Sequence, residues 1–174
     1  MRARSLFWIA ATWWMLAAWL PATAGDGDRL ADIKAQIREE FPDVNQLSTQ
    51  ALERWLSTGA RTPLLLDARE SEEFAVSRLR DAQLTPSARE ALALLADTPK
   101  NQLIVAYCSV GYRSAALAQE LAARGFTNVY NLEGSLFEWA NRGLPVYRDG
   151  RPVEKVHPYN WWWGRVLDEK LHSQ

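Results

Sequence analysis

The chain has 174 residues, of which 48% are hydrophobic and 24% charged, enough for one compact core and too few for several domains. Its net charge of −1 excludes the basic face that nucleic acid requires, because binding a polyanion depends on clustered cations that displace counterions. One cysteine excludes an internal disulfide, and the two histidines, His157 and His172, have no partners at ligand spacing, so no metal and no other cofactor is expected.

In chain order, Arg2 and Arg4 precede an uncharged run, LFWIAATWWMLAAWL (residues 6–20), followed by Pro21 and Ala22-Thr23-Ala24. That order is the pattern of a secretory signal peptide, and the run is shorter than the roughly 20 residues that a bilayer-spanning helix needs. Residues 1–24 are therefore expected to be a signal peptide, cleaved after Ala24, that exports the chain to an oxidising periplasm. Retention as an uncleaved anchor is the alternative. Cleavage leaves 18 basic and 21 acidic residues, a charge of −3.

Residues 25–43 read as an N-terminal helical segment, because Leu30, Ile33, Ile37 and Phe41 recur on one stripe of DRLADIKAQIREEF (28–41) and Pro42 ends it. A short extended piece at 44–47 leads to Ser48, the N-cap of a helix that carries Leu52, Trp55 and Leu56 and that Gly59 closes. PLLLD (63–67) and LIVAYC (103–108) are short apolar runs of the kind found in strands buried on both faces, and NVYNL (128–132) reads as a third strand. Helical stretches begin at residues 86, 114 and 135. Strands alternating with helices imply parallel pairing and an α/β domain with helices on both faces of the sheet.

Cys108, the lone thiol, ends the most apolar of these strands. A free cysteine in an exported chain is either buried and inert or kept for its reactivity. Ligands in such sheets bind outside the carboxyl ends of the strands, and Cys108 stands there, followed by SVGYR and a helix expected to begin near Ser114. Gly111 allows a compact turn whose N–H groups face inward, and these donors, Arg113 and the positive end of the helix dipole all favour a thiolate. The surroundings point to reactivity.

LLLDARESEEF (64–74), the CSVGYRS loop (108–114) and NVYNLEGSLFEWANRGLPV (128–146), in that order, resemble a single rhodanese domain over residues 44–147. The resemblance implies a three-layer α/β/α sandwich around a five-stranded parallel sheet. It makes Cys108 the catalytic residue, carrying sulfane sulfur as a persulfide, and Ser109, Val110, Gly111, Tyr112 and Arg113 the substrate-binding loop. Asp67, Arg69 and Ser114 become structural supports, while Glu133, Gly134 and Trp139 position the last helix. The implied reaction moves sulfur from a small-molecule donor, thiosulfate or a persulfide, to a thiol, to cyanide or to a protein sulfur acceptor. A sulfur-carrier or protein-binding module that does not turn over is the alternative.

Asp67 is expected at the same rim as Cys108, either holding Arg113 or paired with Arg69. Two stretches depart from the rhodanese pattern: SRLRDAQL (77–84) replaces the usual Gly-His-Ile and Gly-Ala, and Ser135 stands where a second glycine is common. The loop carries no lysine or second arginine to help an anionic donor. It also has four residues between Cys108 and Arg113 where cysteine phosphatases have five, a ring too tight for phosphate. Beyond the resemblance, residues 148–174 form a Trp-rich extension. Trp161, Trp162 and Trp163 are expected to pack back on the domain, with membrane contact as the alternative, and the histidines are expected to be solvent-exposed.

Overall fold

The computed structural model describes residues 26–174; the signal-peptide reading of residues 1–24 lies outside them. Helix α1 (Asp26–Glu40) leads into strand β1 (Asn45–Leu47), helix α2 (Thr49–Thr58) and strand β2 (Leu64–Asp67). Helix α3 (Ser71–Val76), strand β3 (Gln83–Leu84) and helix α4 (Ala88–Leu94) precede the central strand β4 (Ile104–Tyr107). Helix α5 (Tyr112–Ala123), strand β5 (Val129–Leu132) and helix α6 (Ser135–Asn141) complete the domain. A hairpin of β6 (Val146–Arg148) and β7 (Arg151–Val153) leads from the domain into the extension, which carries helix α7 (Trp161–Gly164) and a 3₁₀ turn at Glu169–Leu171.

The main sheet has five parallel strands in the order β1-β5-β4-β2-β3, the α/β sandwich expected from the sequence. Strand β4 lies at its centre, and Ile104, Val105, Ala106 and Tyr107 are all fully buried. The period-two geometry of a strand divides them between two cores. Ile104, Ala106 and Cys108 pack with Ala91, Ala115, Leu117 and Leu121 of α4 and α5, and Val105 and Tyr107 pack with Leu52, Leu136 and Phe137 of α2 and α6. Each leucine removed completely from water contributes about 1.5–3 kcal/mol, so the two-sided burial of this sheet accounts for the unbroken apolar runs.

Helix boundaries follow local chemistry. Ser48 caps α2 by accepting the Ala51 N–H at 3.2 Å, and Gly59 closes it in the left-handed conformation at φ 67°, where glycine bears no steric cost. Helix α5 starts at Tyr112, two residues earlier than the pattern suggests, so Tyr112 and Arg113 belong to its first turn. Helix α3 and strand β3 were not legible in the sequence. The helix has only six residues and rests on a reciprocal cap between Glu70 and Glu73; the strand is two residues long and defined by pairing Leu66 with Gln83 and Asp67 with Leu84. The β6–β7 hairpin carried a signal that went unread: Asp149-Gly150, with φ 51° and 76°, is the pair that a two-residue turn favours.

The extension corrects two expectations. Only Trp163 packs against the core; Trp161 and Trp162 are 70% and 72% exposed, because the four-residue α7 can turn only one of three consecutive side chains inward. Nor are the histidines solvent-exposed. His157 and His172 are half-buried, and His172 Nε2 lies 3.0 Å from Gly164 O and 3.1 Å from Leu167 O, tying the extension together.

Candidate active site

Cys108 is the first residue after β4 and is 1% exposed. Gly111 has φ 116°, a conformation that side chains resist, and the turn it permits brings its N–H to 3.2 Å from Cys108 Sγ. The amino end of α6 holds the loop from the other side: the Cys108 N–H donates to Ser135 Oγ at 3.1 Å, and the carbonyls of Cys108 and Ser109 accept from Leu136 and Phe137 N–H. Ser135, which departs from the rhodanese pattern, thus touches the backbone of the thiol-bearing residue. Val110 is buried in the core, so its side chain packs and only its backbone belongs to the loop. The Tyr112 hydroxyl donates to Glu40 and its ring meets Phe41 edge-on. Ser114, fully buried, lies 2.6 Å from Asn131 Oδ1.

Glu73 is the functional residue that the sequence reading missed. It lies on α3, is 2% exposed, and takes Arg113 in a two-point ion pair at 2.7 and 2.8 Å. Its Oε1 also accepts from the Ser109 hydroxyl at 2.7 Å, and its Oε2 from the Glu70 N–H at 3.0 Å. Burial alone would raise the Glu73 carboxyl; hydrogen bonds from Arg113, Glu70 and Ser109 outweigh it and hold the group below the ordinary carboxylate range. Burial likewise opposes the charge on Arg113, and Glu73 together with the Cys108 side chain reverses that, leaving the guanidinium charged.

The expected Asp67–Arg113 contact is absent, and the alternative is what forms. Asp67 and Arg69, both fully buried, pair at 2.6 and 2.9 Å, and Arg69 donates onward to Ser77 O at 2.7 Å. The short step from Asp67 to Arg69 lets the aspartate reach its neighbour but not the loop, and α3 brings Glu73 there instead. Glu133 of the closing motif pairs with Arg38 of α1 at 2.8 Å, Gly134 is the left-handed N-cap of α6, and Trp139, 4% exposed, bonds Pro145 O. Next to the loop, a cavity of about 390 Å³ is lined by Ala68, Thr85, Ala88, Tyr112, Arg113 and Leu117. Two larger clefts, of about 610 and 1050 Å³, run along α1 and the extension and include no loop residue. Among the described residues no group of metal-ligating side chains occurs.

The rhodanese-like domain family matches residues 48–142, more than half of the chain. The chain belongs to the rhodanese-like family. A sulfurtransferase from Allochromatium vinosum is 31% identical over 103 residues, which cover 59% of this chain and 94% of that one. Among solved structures, a rhodanese-like domain protein from Staphylococcus aureus superposes with a TM-score of 0.52 at 24% identity, covering 61% of this chain and 99% of that one. The thiosulfate sulfurtransferase from Pseudomonas aeruginosa gives 0.58 at 18% identity over 70% of this chain and 23% of its own. At those identities the two structures show the shared fold.

The ion pair sets a pH dependence for this rhodanese-like domain. A carboxyl whose folded pKa lies below its ordinary 4.5 stabilises the fold fully above that value, and the contribution is lost as the pH falls through the lower, folded value. The unfolding midpoint of Glu73→Gln is therefore expected below that of the wild type at neutral pH, with the gap closing in acid. A gap constant with pH would contradict the assignment.

Proposed function

We propose that this protein is a sulfurtransferase that carries sulfane sulfur as a persulfide on Cys108. The Cys108 thiolate attacks the outer sulfur of thiosulfate, the sulfur–sulfur bond breaks, and sulfite leaves with the electron pair; a persulfide donor loads the enzyme in the same way, releasing a thiolate. An acceptor thiol or cyanide then attacks the terminal sulfur and regenerates the Cys108 thiolate. The observation that carries this reading is the Gly111 N–H directed at Sγ, a donor placed where negative charge resides on the Cys108 thiolate that attacks the donor and is released again by the acceptor. Arg113 adds positive charge beside it, and the sulfurtransferase from Allochromatium vinosum supports the reaction class. Ser109, Val110, Gly111, Tyr112 and Arg113 form the substrate loop, while Asp67, Arg69 and Ser114 support it.

Residues 1–24 direct export to the periplasm and are removed. A sulfur carrier that loads but turns over slowly is the second reading, favoured by the 1% exposure of Cys108. One measurement addresses all three points. The intact mass of protein recovered from the periplasm is expected to match a chain beginning at Gly25 and to rise by about 32 Da, one sulfur atom, with a competent donor. Loading reversed by cyanide or a thiol supports the transferase, persistent loading supports the carrier, and failure of thiosulfate and organic persulfides alike would refute both. An unprocessed chain would refute export with cleavage.

A further inference from the structure

Tyr159 lies beyond the rhodanese match, in the extension, yet its ring covers Arg113: the guanidinium carbon is 4.7 Å from the ring centroid. Glu73 and Ser109 hold the edge of that guanidinium, and Tyr159 holds its face, within the roughly 6 Å over which a ring attracts a cation. The extension is anchored on both sides of the ring. Val156, Val166 and Leu167 are buried, and Asn141 grips Val166 O at 2.8 Å and the Asp168 N–H at 2.9 Å. On the other side Asn160 Oδ1 accepts from the N–H groups of Trp162 and Trp163, fixing the start of α7.

Between these anchors Tyr159 adopts φ 64°, a left-handed conformation uncommon for a bulky residue. Its N–H donates to His157 Nδ1 at 3.0 Å. Backbone strain of this kind persists where the surrounding structure imposes it. Here the imposed conformation places an aromatic face on the arginine that interacts with the Cys108 side chain.

We propose that Tyr159 is a positioning residue for sulfur transfer: by stacking on Arg113 it keeps the guanidinium beside Cys108, so the extension completes a site whose other parts lie within the family match. The proposal rests on Cys108 being the reactive group. Tyr159 acts through Arg113 and leaves the donor to the loop. Without the ring, the ion pair to Glu73 remains, but water reaches the guanidinium face and the side chain moves more freely. Charge stabilisation at sulfur weakens while the loop N–H groups still receive the donor. The maximal loading rate falls and the half-saturating donor concentration stays near its original value.

Tyr159→Phe, Tyr159→Leu and Tyr159→Ala in the full chain test this by two readouts: loading of Cys108 from glutathione persulfide, and alkylation of Cys108 by iodoacetamide at neutral pH. Phenylalanine keeps the aromatic face and is expected within about twofold of the wild type, whereas leucine, of similar bulk, and alanine are expected about three- to ten-fold slower, the scale of one partly exposed cation–π contact. Equal rates for leucine and phenylalanine, an alanine variant as fast as the wild type, or losses that only follow the unfolding midpoint would overturn the proposal. If no donor loads the wild type but alkylation separates phenylalanine from leucine, the sulfur-transfer reading fails and the positioning stands. If the wild type loads and all variants match it, the positioning alone fails.

Discussion

Cys108→Ser is expected to abolish sulfur loading and to lower turnover of thiosulfate with cyanide by roughly 10³-fold or more, the scale seen when a covalent nucleophile is removed. A hydroxyl is far less acidic than a thiol, and among the described residues no hydrogen bond joins the Cys108 side chain to a histidine or carboxylate that could act as a base. Among the described residues His157 and His172 belong to the extension, and the buried carboxylate bonded to the loop, Glu73, is committed to Arg113, Ser109 and Glu70. The substitution should leave the fold intact. Serine is slightly smaller than cysteine, and its hydroxyl can accept the Gly111 N–H that now meets sulfur, so the stability cost is about 1 kcal/mol. Steady-state turnover and intact mass, with an unfolding curve as control, check this result. Undiminished turnover by a folded Cys108→Ser protein would remove Cys108 from the mechanism.

Arg69→Leu is expected to be the most destabilising single change at the rim, at about 3–5 kcal/mol, the cost of leaving one member of a buried ion pair without its partner. Asp67 is fully buried, and its carboxylate would lose donors at 2.6 and 2.9 Å. The carbonyl of Ser77 would lose its 2.7 Å donor as well. Against a total stability of about 5–15 kcal/mol for a domain of this kind, that loss leaves a substantial unfolded fraction. The double variant Asp67→Leu/Arg69→Leu should recover part of it, because replacing both charges removes the unpaired carboxylate. Urea unfolding of the three proteins measures both differences. A single variant within about 0.5 kcal/mol of wild type, the range of ordinary surface changes, would show that the pair contributes little.

These two results concern residues that differ in how plainly the sequence displayed them. Cys108 was legible because its position follows from order along the chain: an apolar strand, a short loop, a helix. Asp67 and Arg69 were legible as a pair of residues at a strand end, but not as partners, since Asp67 had an equally plausible reach to Arg113. Glu73 was not singled out at all. It sits in ESEEF with two other acidic residues, Glu70 and Glu72, and nothing in that local pattern separates the one that is buried from those that stay in water.

The apolar strands β2, β4 and β5, the long helices, the caps of α2 and the parallel arrangement were set by the sequence alone, because each depends on contacts within a few residues or on a burial pattern that repeats with strand or helix period. The thiol's place at the carboxyl end of the central strand followed from the same order. Tertiary structure decided which charges pair and which aromatics face water. Glu73 meets Arg113 across 40 positions, Ser135 reaches Cys108 across 27, and Tyr159 returns from the extension to cover the same arginine. Such contacts depend on the angle and depth at which packed layers bring distant side chains together, and that geometry is a property of the whole core rather than of any segment. The exposure of Trp161 and Trp162 has the same origin, since a single short turn of helix docked by Trp163 leaves its two neighbours no apolar surface to cover.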